Sequence, residues 1–230
     1  MNKLLLISGS SSLGNSIITE FLKKKYSIVS TFNKKKIKIS NKKLIKIHLD
    51  IEKDESINFF KKRISKKKFN YLIFCTGLIY GKNFANYDKK NVNKIFNINF
   101  IDIFEVFKKL IYNLKKNALV VFLSSISSEQ GSYDPYYASS KAALNMMVRN
   151  LTRNYSNKFR LLSISPSLIK NTKMYRGMTK KNIKIHKDKN PQKTLLNKND
   201  LAKILIDIHQ AHWKKLNGIN LNINGGLRSG

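Results

Sequence analysis

Seven short apolar runs, separated by longer amphipathic stretches, leave this chain few folds to choose from. The runs occupy 4–8, 27–32, 44–49, 71–75, 118–123, 160–165 and 219–223. Several are nearly continuous in Leu, Ile, Val or Phe, as strands covered on both faces must be. Helix-like segments lie near 15–25, 54–65, 88–114, 137–155 and 199–213. Strand–helix alternation of this kind implies right-handed crossovers and an α/β fold. The expectation is a doubly wound parallel sheet of about seven strands with helices on both faces. The length suits one domain over 1–230, and neither an internal repeat nor a Pro/Gly linker divides it. One region, 171–197, is irregular, rich in Lys and Asn, and carries Gly177 and Pro191. It is expected to be a surface excursion acting as a substrate lid.

Charge is the most unusual bulk property. The net charge is +32, with 45 basic against 13 acidic residues, and only six of the basic residues are arginines. Arginine's planar fork is the usual tool for reading bases and clamping phosphates, so 39 lysines argue against specific nucleic-acid binding. The lysines are scattered, with runs at 23–25, 34–36 and 66–68, and they accompany abundant Asn and Ile. A solvated lysine surface with some attraction for acidic partners is the simplest account. The apolar run at the N-terminus is too short for a signal peptide or a membrane span, and Cys75 has no partner for a disulfide. A cytoplasmic protein without membrane association is expected.

Two stretches carry chemistry. The first run ends in Ser8-Gly9-Ser10-Ser11-Ser12-Leu13-Gly14, followed by an amphipathic helix. A small-residue turn at a helix N-terminus offers backbone N–H groups and the positive dipole end to a phosphate. Such turns also join strands to helices without binding anything. The second stretch is Tyr137-Ala138-Ser139-Ser140-Lys141. Four residues apart on a helix, Tyr137 and Lys141 share a face. An ammonium about 4–5 Å from the phenol, at an effective dielectric of about 20, is worth roughly 3–4 kcal/mol. That would lower the phenol pKa by about two to three units from its ordinary value of about 10, bringing it within reach of proton transfer near neutrality.

Taken together, these stretches resemble the short-chain dehydrogenase/reductase family. Tyr137 and Lys141 match its Tyr-x-x-x-Lys signature, and Ser125 closes a strand twelve residues before the tyrosine. Asn99, in Asn97-Ile98-Asn99-Phe100, is similar to the family's central-helix asparagine. Asp50, with Ile51 beside it, ends the third run, and Cys75-Thr76-Gly77 stands where Asn-Ala-Gly is common. Pro166-Ser167, Thr172 and Asn224-Gly225-Gly226 fall at the family's later landmarks. The resemblance covers nearly the whole chain. It implies a Rossmann-like fold and an NAD(P)-dependent oxidoreductase moving hydride between nicotinamide and a carbonyl or secondary alcohol. It assigns proton transfer to Tyr137, ribose binding and pKa control to Lys141, the substrate oxygen to Ser125 and a water relay to Asn99. Gly9, Ser11, Ser12, Leu13, Gly14, Asn33, Lys34, Asp50, Ile51, Thr76, Gly77, Tyr137, Lys141, Pro166, Ser167 and Thr172 are the expected cofactor contacts.

The chain departs from the pattern in two places. Gly9 and Gly14 are five apart, where the family has six with another glycine between, so the turn is one residue short. At the end of the second run stands Ser30-Thr31-Phe32-Asn33-Lys34-Lys35, with no acidic residue to bind a ribose 2′-hydroxyl. Asn33 and Lys34 suit a 2′-phosphate, so NADP is expected over NAD. His209 and His212 read as ordinary helix residues, and no metal is expected. Two substrate classes fit equally, a 3-oxoacyl chain delivered by an acidic carrier protein and a sugar or other small hydroxy compound. Homodimers or homotetramers are common in the family, with 88–114 and 137–155 as interface helices. The competing reading is a non-catalytic dinucleotide sensor or interaction protein that kept the fold.

Overall fold

A computed structural model describes residues 2–211 and 215–227. The chain runs β1 (Lys3–Ile7), α1 (Ser12–Lys23), β2 (Ser27–Phe32), β3 (Leu44–His48), α2 (Asp54–Ile64) and β4 (Phe69–Phe74). It continues through α3 (Lys89–Phe96), α4 (Asp102–Leu110), β5 (Leu114–Leu123), α5 (Ser127–Gln130) and α6 (Pro135–Tyr155). It finishes with β6 (Phe159–Pro166), α7 (Lys173–Arg176), α8 (Lys180–Lys189), α9 (Lys198–Gln210) and β7 (Ile219–Ile223). The seven strands form one sheet in the order β3-β2-β1-β4-β5-β6-β7, and every pairing is parallel. The strand order reverses between β1 and β4, which opens a crevice at their C-terminal ends.

Side-chain alternation along the strands divides the core in two. Leu4 and Leu6 of β1 join α1 and α9, through Ile17, Phe21, Leu201 and Leu205, on one face. Leu5 and Ile7 join α2, α4 and α6, through Phe60, Phe107, Leu144 and Val148, on the other. All four β1 residues are fully buried, and each such side chain is worth about 2 kcal/mol in apolar surface removed from water. This double burial explains the continuous apolar runs in the sequence. His209 belongs to this packing. Its Nδ1 lies 2.7 Å from the Tyr26 hydroxyl and its ring stacks on Tyr71 at 4.7 Å; His212 lies outside the described residues.

Three expectations need correction. The helix expected over 88–114 is broken by a π-helical turn, Asn97–Ile101, and α4 ends at Leu110. A 3-10 turn follows, and β5 starts at Leu114 rather than 118. The exposed Lys115, Lys116 and Asn117 hid the early start of that strand, whose register with β4 is irregular there, Phe69 pairing with Leu114 and Tyr71 with Leu119. The region 171–197 is not irregular throughout, since it holds α7 and α8, capped by Thr172 and Thr179. Neither helix buries a residue, so apolar periodicity could not reveal them. Among the described residues no helix is long and apolar enough to cross a membrane.

Candidate active site

The turn after β1 is built from backbone. Ser8 adopts a left-handed conformation, φ 68°, which costs a residue with a Cβ about 1 kcal/mol. It is held there by its N–H on Thr31 Oγ1 at 2.9 Å and by its hydroxyl, 2.8 Å from Thr76 Oγ1. A side chain on Gly9 would place its Cβ 1.9 Å from Ser30 Oγ, and one on Gly14 would sit 2.5 Å from the Gly9 carbonyl oxygen. The shortened loop therefore closes by bringing the turn onto β2 and the helix onto the turn. Ser11 caps α1 by accepting the Gly14 N–H at 2.9 Å. Ser12 and Leu13 open the helix, and first-turn N–H groups have no intrahelical acceptor. They remain available to an anion, as does the positive end of the helix dipole.

The remaining expected cofactor residues lie along the same edge of the sheet. Asn33 and Lys34 follow β2, the first half-buried and the second exposed. Asp50, after β3, donates its N–H to Ser56 Oγ and accepts the Glu52 N–H, with Ile51 half-buried beside it. Pro166 is the last residue of β6, and the buried Ser167 donates to the Ile223 carbonyl. The Thr172 hydroxyl is engaged at the start of α7, accepting the Tyr175 N–H and donating to the Ile169 carbonyl. Cys75 Sγ lies 3.9 Å from Ser11 Oγ, and burial pushes its thiol up to about 11.

Asn99, Ser125, Tyr137 and Lys141 converge where β4 and β5 end. Asn99 is fully buried in the π-helical turn. Its Oδ1 accepts the Leu78 N–H at 2.6 Å, and its Nδ2 donates to the Leu78 carbonyl and to Ser140 Oγ. Ser140 in turn donates to the Tyr137 carbonyl at 2.7 Å. Lys141 is 2% exposed and donates to the carbonyls of Thr76 and Leu123 at 3.2 and 3.0 Å. A Cβ on Gly77 would stand 3.5 Å from Lys141 Nζ and 4.0 Å from Asn99 Oδ1, ordinary contact distances that place this glycine beside the lysine. Ser125 hydrogen-bonds the Tyr137 phenol and accepts the Ser127 N–H at 3.1 Å.

The electrostatics differ from the expectation. The Tyr137 phenol is not acidified. Burial raises its pKa, opposed by the Ser125 hydrogen bond and reinforced by the charge of Asp134. Lys141 is itself depressed to about 8 by burial. Its ammonium is turned to two backbone carbonyls, so the simple Coulomb argument overstated its grip on the phenol. Sequence reasoning also missed Asp134, which is 1% exposed. It accepts the Tyr137 N–H at 3.0 Å, the Tyr87 hydroxyl at 2.6 Å, and the backbone N–H groups of Tyr80 and Gly81 at 3.2 and 2.9 Å. An Asp directly before Pro135 is a helix-start signal and could have revealed the first of these contacts.

The cradle fits a dinucleotide: two glycines that no side chain can replace without a clash, a capped helix N-terminus, and a Tyr–Lys pair on the same sheet edge. A parallel doubly wound sheet with this site defines an oxidoreductase of the nucleotide-binding α/β class. A family model described as enoyl-(acyl carrier protein) reductase, of the short-chain alcohol dehydrogenase type, matches residues 7–228. The chain belongs to the short-chain dehydrogenase/reductase family and is an NAD(P)-dependent oxidoreductase. It is 26% identical over 240 residues to the 3-oxoacyl-[acyl-carrier-protein] reductase FabG of Buchnera aphidicola, covering 98% of this chain and 97% of that one. A short-chain dehydrogenase family protein of Francisella tularensis superposes with a TM-score of 0.88 at 20% identity, covering 99% and 98% of the two chains. The 3-ketoacyl-(acyl-carrier-protein) reductase of Brucella melitensis, solved with NADH, gives 0.87 at 17%, covering 98% of each. The aldohexose dehydrogenase of Thermoplasma acidophilum gives 0.85 at 15%, covering 98% and 93%.

Proposed function

We propose that the chain is a carbonyl reductase working with NADPH, in which Tyr137 delivers the proton. The observation that carries this reading is a buried phenol kept protonated by its surroundings and hydrogen-bonded to Ser125, one helical turn from Lys141. A protonated phenol is the form that carbonyl reduction needs, because the oxygen gains negative charge as hydride arrives at carbon. The nicotinamide, when bound, supplies that hydride. Ser125 orients the carbonyl oxygen toward the phenol, and Lys141 stabilises the phenolate left after transfer. Asn99 fixes the Leu78 backbone and, through Ser140, the start of α6, so in this chain its role is to hold the site's geometry.

The Ser12 and Leu13 N–H groups would hold the diphosphate, and Asp50 with Ile51 would hold the adenine end. Asn33 and Lys34 would take the 2′-phosphate, with no carboxylate beside them to repel it. Among substrates, a 3-oxoacyl chain on an acidic carrier is favoured. Helix α8 presents Lys180, Lys181, Lys184, Lys187 and Lys189 without a buried residue, and the Buchnera relative carries that activity in its name. The 171–197 region then acts as the lid, and the 1–230 chain as one catalytic domain. A homo-oligomer assembling through the 88–114 and 137–155 segments accounts for the exposure of Ile101 and Met146, at 48% and 51%. A cytoplasmic location follows from the same assignment.

The test is NADPH oxidation against acetoacetyl thioesters, simple ketones and aldoses, with Tyr137→Phe as control. Thioester turnover that vanishes in the Phe variant supports the proposal. Nicotinamide binding with no turnover of any carbonyl would leave a sensor instead.

A further inference from the structure

The Asp134 carboxylate joins two parts of the molecule that the proposed reaction needs together. Its Oδ1 caps α6 by accepting the Tyr137 N–H at 3.0 Å. Its Oδ2 accepts three donors from the segment that leaves β4: the N–H groups of Tyr80 and Gly81 at 3.2 and 2.9 Å, and the Tyr87 hydroxyl at 2.6 Å. That segment begins beside Gly77, next to the Lys141 ammonium. Its aromatic rings lie against the start of α6, with Phe84 stacked on Tyr136 at 5.8 Å and Tyr87 edge-on to Tyr136 at 4.9 Å. Phe84 is nevertheless 70% exposed, so ring contact alone buries little of this segment. Four donors nearly fill the lone pairs of one buried carboxylate. Charge-assisted bonds of this kind are roughly twice as strong as neutral ones.

We infer that Asp134 is a positioning residue whose two oxygens have separate tasks, one fixing the helix that carries Tyr137 and the other latching the 78–88 segment over the substrate side of the site. The inference rests on the reductase reading for what the latch serves, and on the hydrogen bonds alone for its existence. Strand C-terminal ends are where ligands enter such sheets, and 78–88 follows β4 at that edge. A latched segment gives the substrate a fixed aromatic wall one residue from Tyr137. Released, it would leave the proton donor in place and loosen the wall. Tyr87 keeps its proton through the alkaline range, because burial and the Asp134 acceptor both oppose ionisation.

Asp134→Asn separates the two tasks. Asparagine caps helices as well as aspartate does, so its oxygen can still accept the Tyr137 N–H. Its NH₂ group cannot accept from Tyr80, Gly81 or Tyr87. Asp134→Ala removes both functions. Hydrogen–deuterium exchange of the intact protein reads the latch without any substrate. In the Asn variant the Tyr80 and Gly81 amides should exchange at least tenfold faster, while the first turn of α6 stays protected; in the Ala variant both should open. Tyr87→Phe, which deletes one neutral donor, should accelerate the same two amides by a smaller factor and guards against a misfolded Asn variant. Wild-type exchange at Tyr80 and Gly81 in both Asp134→Asn and Tyr87→Phe overturns the latch. With a substrate from the carbonyl panel, Asp134→Asn should raise KM severalfold and leave kcat within about twofold. A fall in kcat at unchanged KM would overturn the division of tasks. If wild type reduces no carbonyl, the reductase reading fails, and exchange still decides the latch.

Discussion

The turn after β1 and the start of α6 lie on the same edge of the sheet and are built in opposite ways. The turn works through what it lacks. Gly9 and Gly14 have no Cβ, and their absence lets β2, the turn and α1 approach to contact. The start of α6 works through what it carries, a network in which Asp134, Ser140 and Ser125 bond to Tyr137, Asn99 bonds to Ser140, and Lys141 donates to the Thr76 and Leu123 carbonyls. A backbone cradle suits a diphosphate, whose demands are shape and N–H donors. A proton-transfer site needs groups whose ionisation can be set. The comparison predicts that substitutions in the turn act on binding and stability together, whereas removal of the Tyr137 hydroxyl acts on turnover with the fold intact.

The sharpest break would come at Tyr137. Tyr137→Phe should lower kcat by about 10³-fold, in the range that general acid catalysis supplies, with NADPH affinity and melting temperature near wild type. A parallel loss of cofactor affinity would mean the two regions are not separable. Lys141 offers the next largest effect. Its pKa of about 8 lies below the value of about 10.5 in the unfolded chain. The unfolded state therefore binds more protons between pH 8 and pH 10.5, and stability must rise with pH across that window. Urea melts should show wild type gaining about 3 kcal/mol on Lys141→Met from pH 8 to 10.5. Parallel stability curves for the two would show that the lysine is not desolvated.

On the cradle side, Gly9→Ala should cost about 2 kcal/mol and weaken NADPH binding, measured by fluorescence titration. Adding Ser30→Ala should recover part of this loss, because the nearest obstacle is Ser30 Oγ at 1.9 Å. Gly14→Ala has no such remedy, since its obstacle is the Gly9 backbone. Failure of the double variant to recover anything would move the defect from packing to the anion site. The smallest effect belongs to Asn33→Asp, which should shift the ratio of NADPH to NADH affinity about tenfold toward NADH, worth about 1.4 kcal/mol. An unchanged ratio would show that the end of β2 does not read the 2′ position.

The sheet was legible because both its faces are covered. A strand such as β1 must then be apolar at every position, and no helix pattern imitates Leu4 to Ile7. That Asn99, Ser125, Tyr137 and Lys141 come together was legible because each sits at a strand end or within a single helical turn. Legibility failed where structure depends on distant partners. Asp134 receives donors from residues 47 to 54 positions earlier, and nothing local marks them. The acidification of Tyr137 was misjudged because sequence spacing gives proximity and says nothing of burial, which decides both its ionisation and that of Lys141. Helix α8 was missed because it buries no residue and only Ile183 is half-buried, too little to leave an apolar stripe.

The π-helical turn at Asn97–Ile101 has a consequence for how this fold tolerates change. Such a turn holds one residue more than regular helix requires, so the α3 and α4 halves are wound about 100° out of phase. That offset lets α4 bury Ile103, Val106, Phe107 and Leu110 against the sheet while Asn99 faces α6. Deleting a single residue between 97 and 101 would restore a uniform winding and swing one half off its support. In this segment, chain length is therefore as much a constraint as chemical identity, and indels should be purged here more stringently than substitutions.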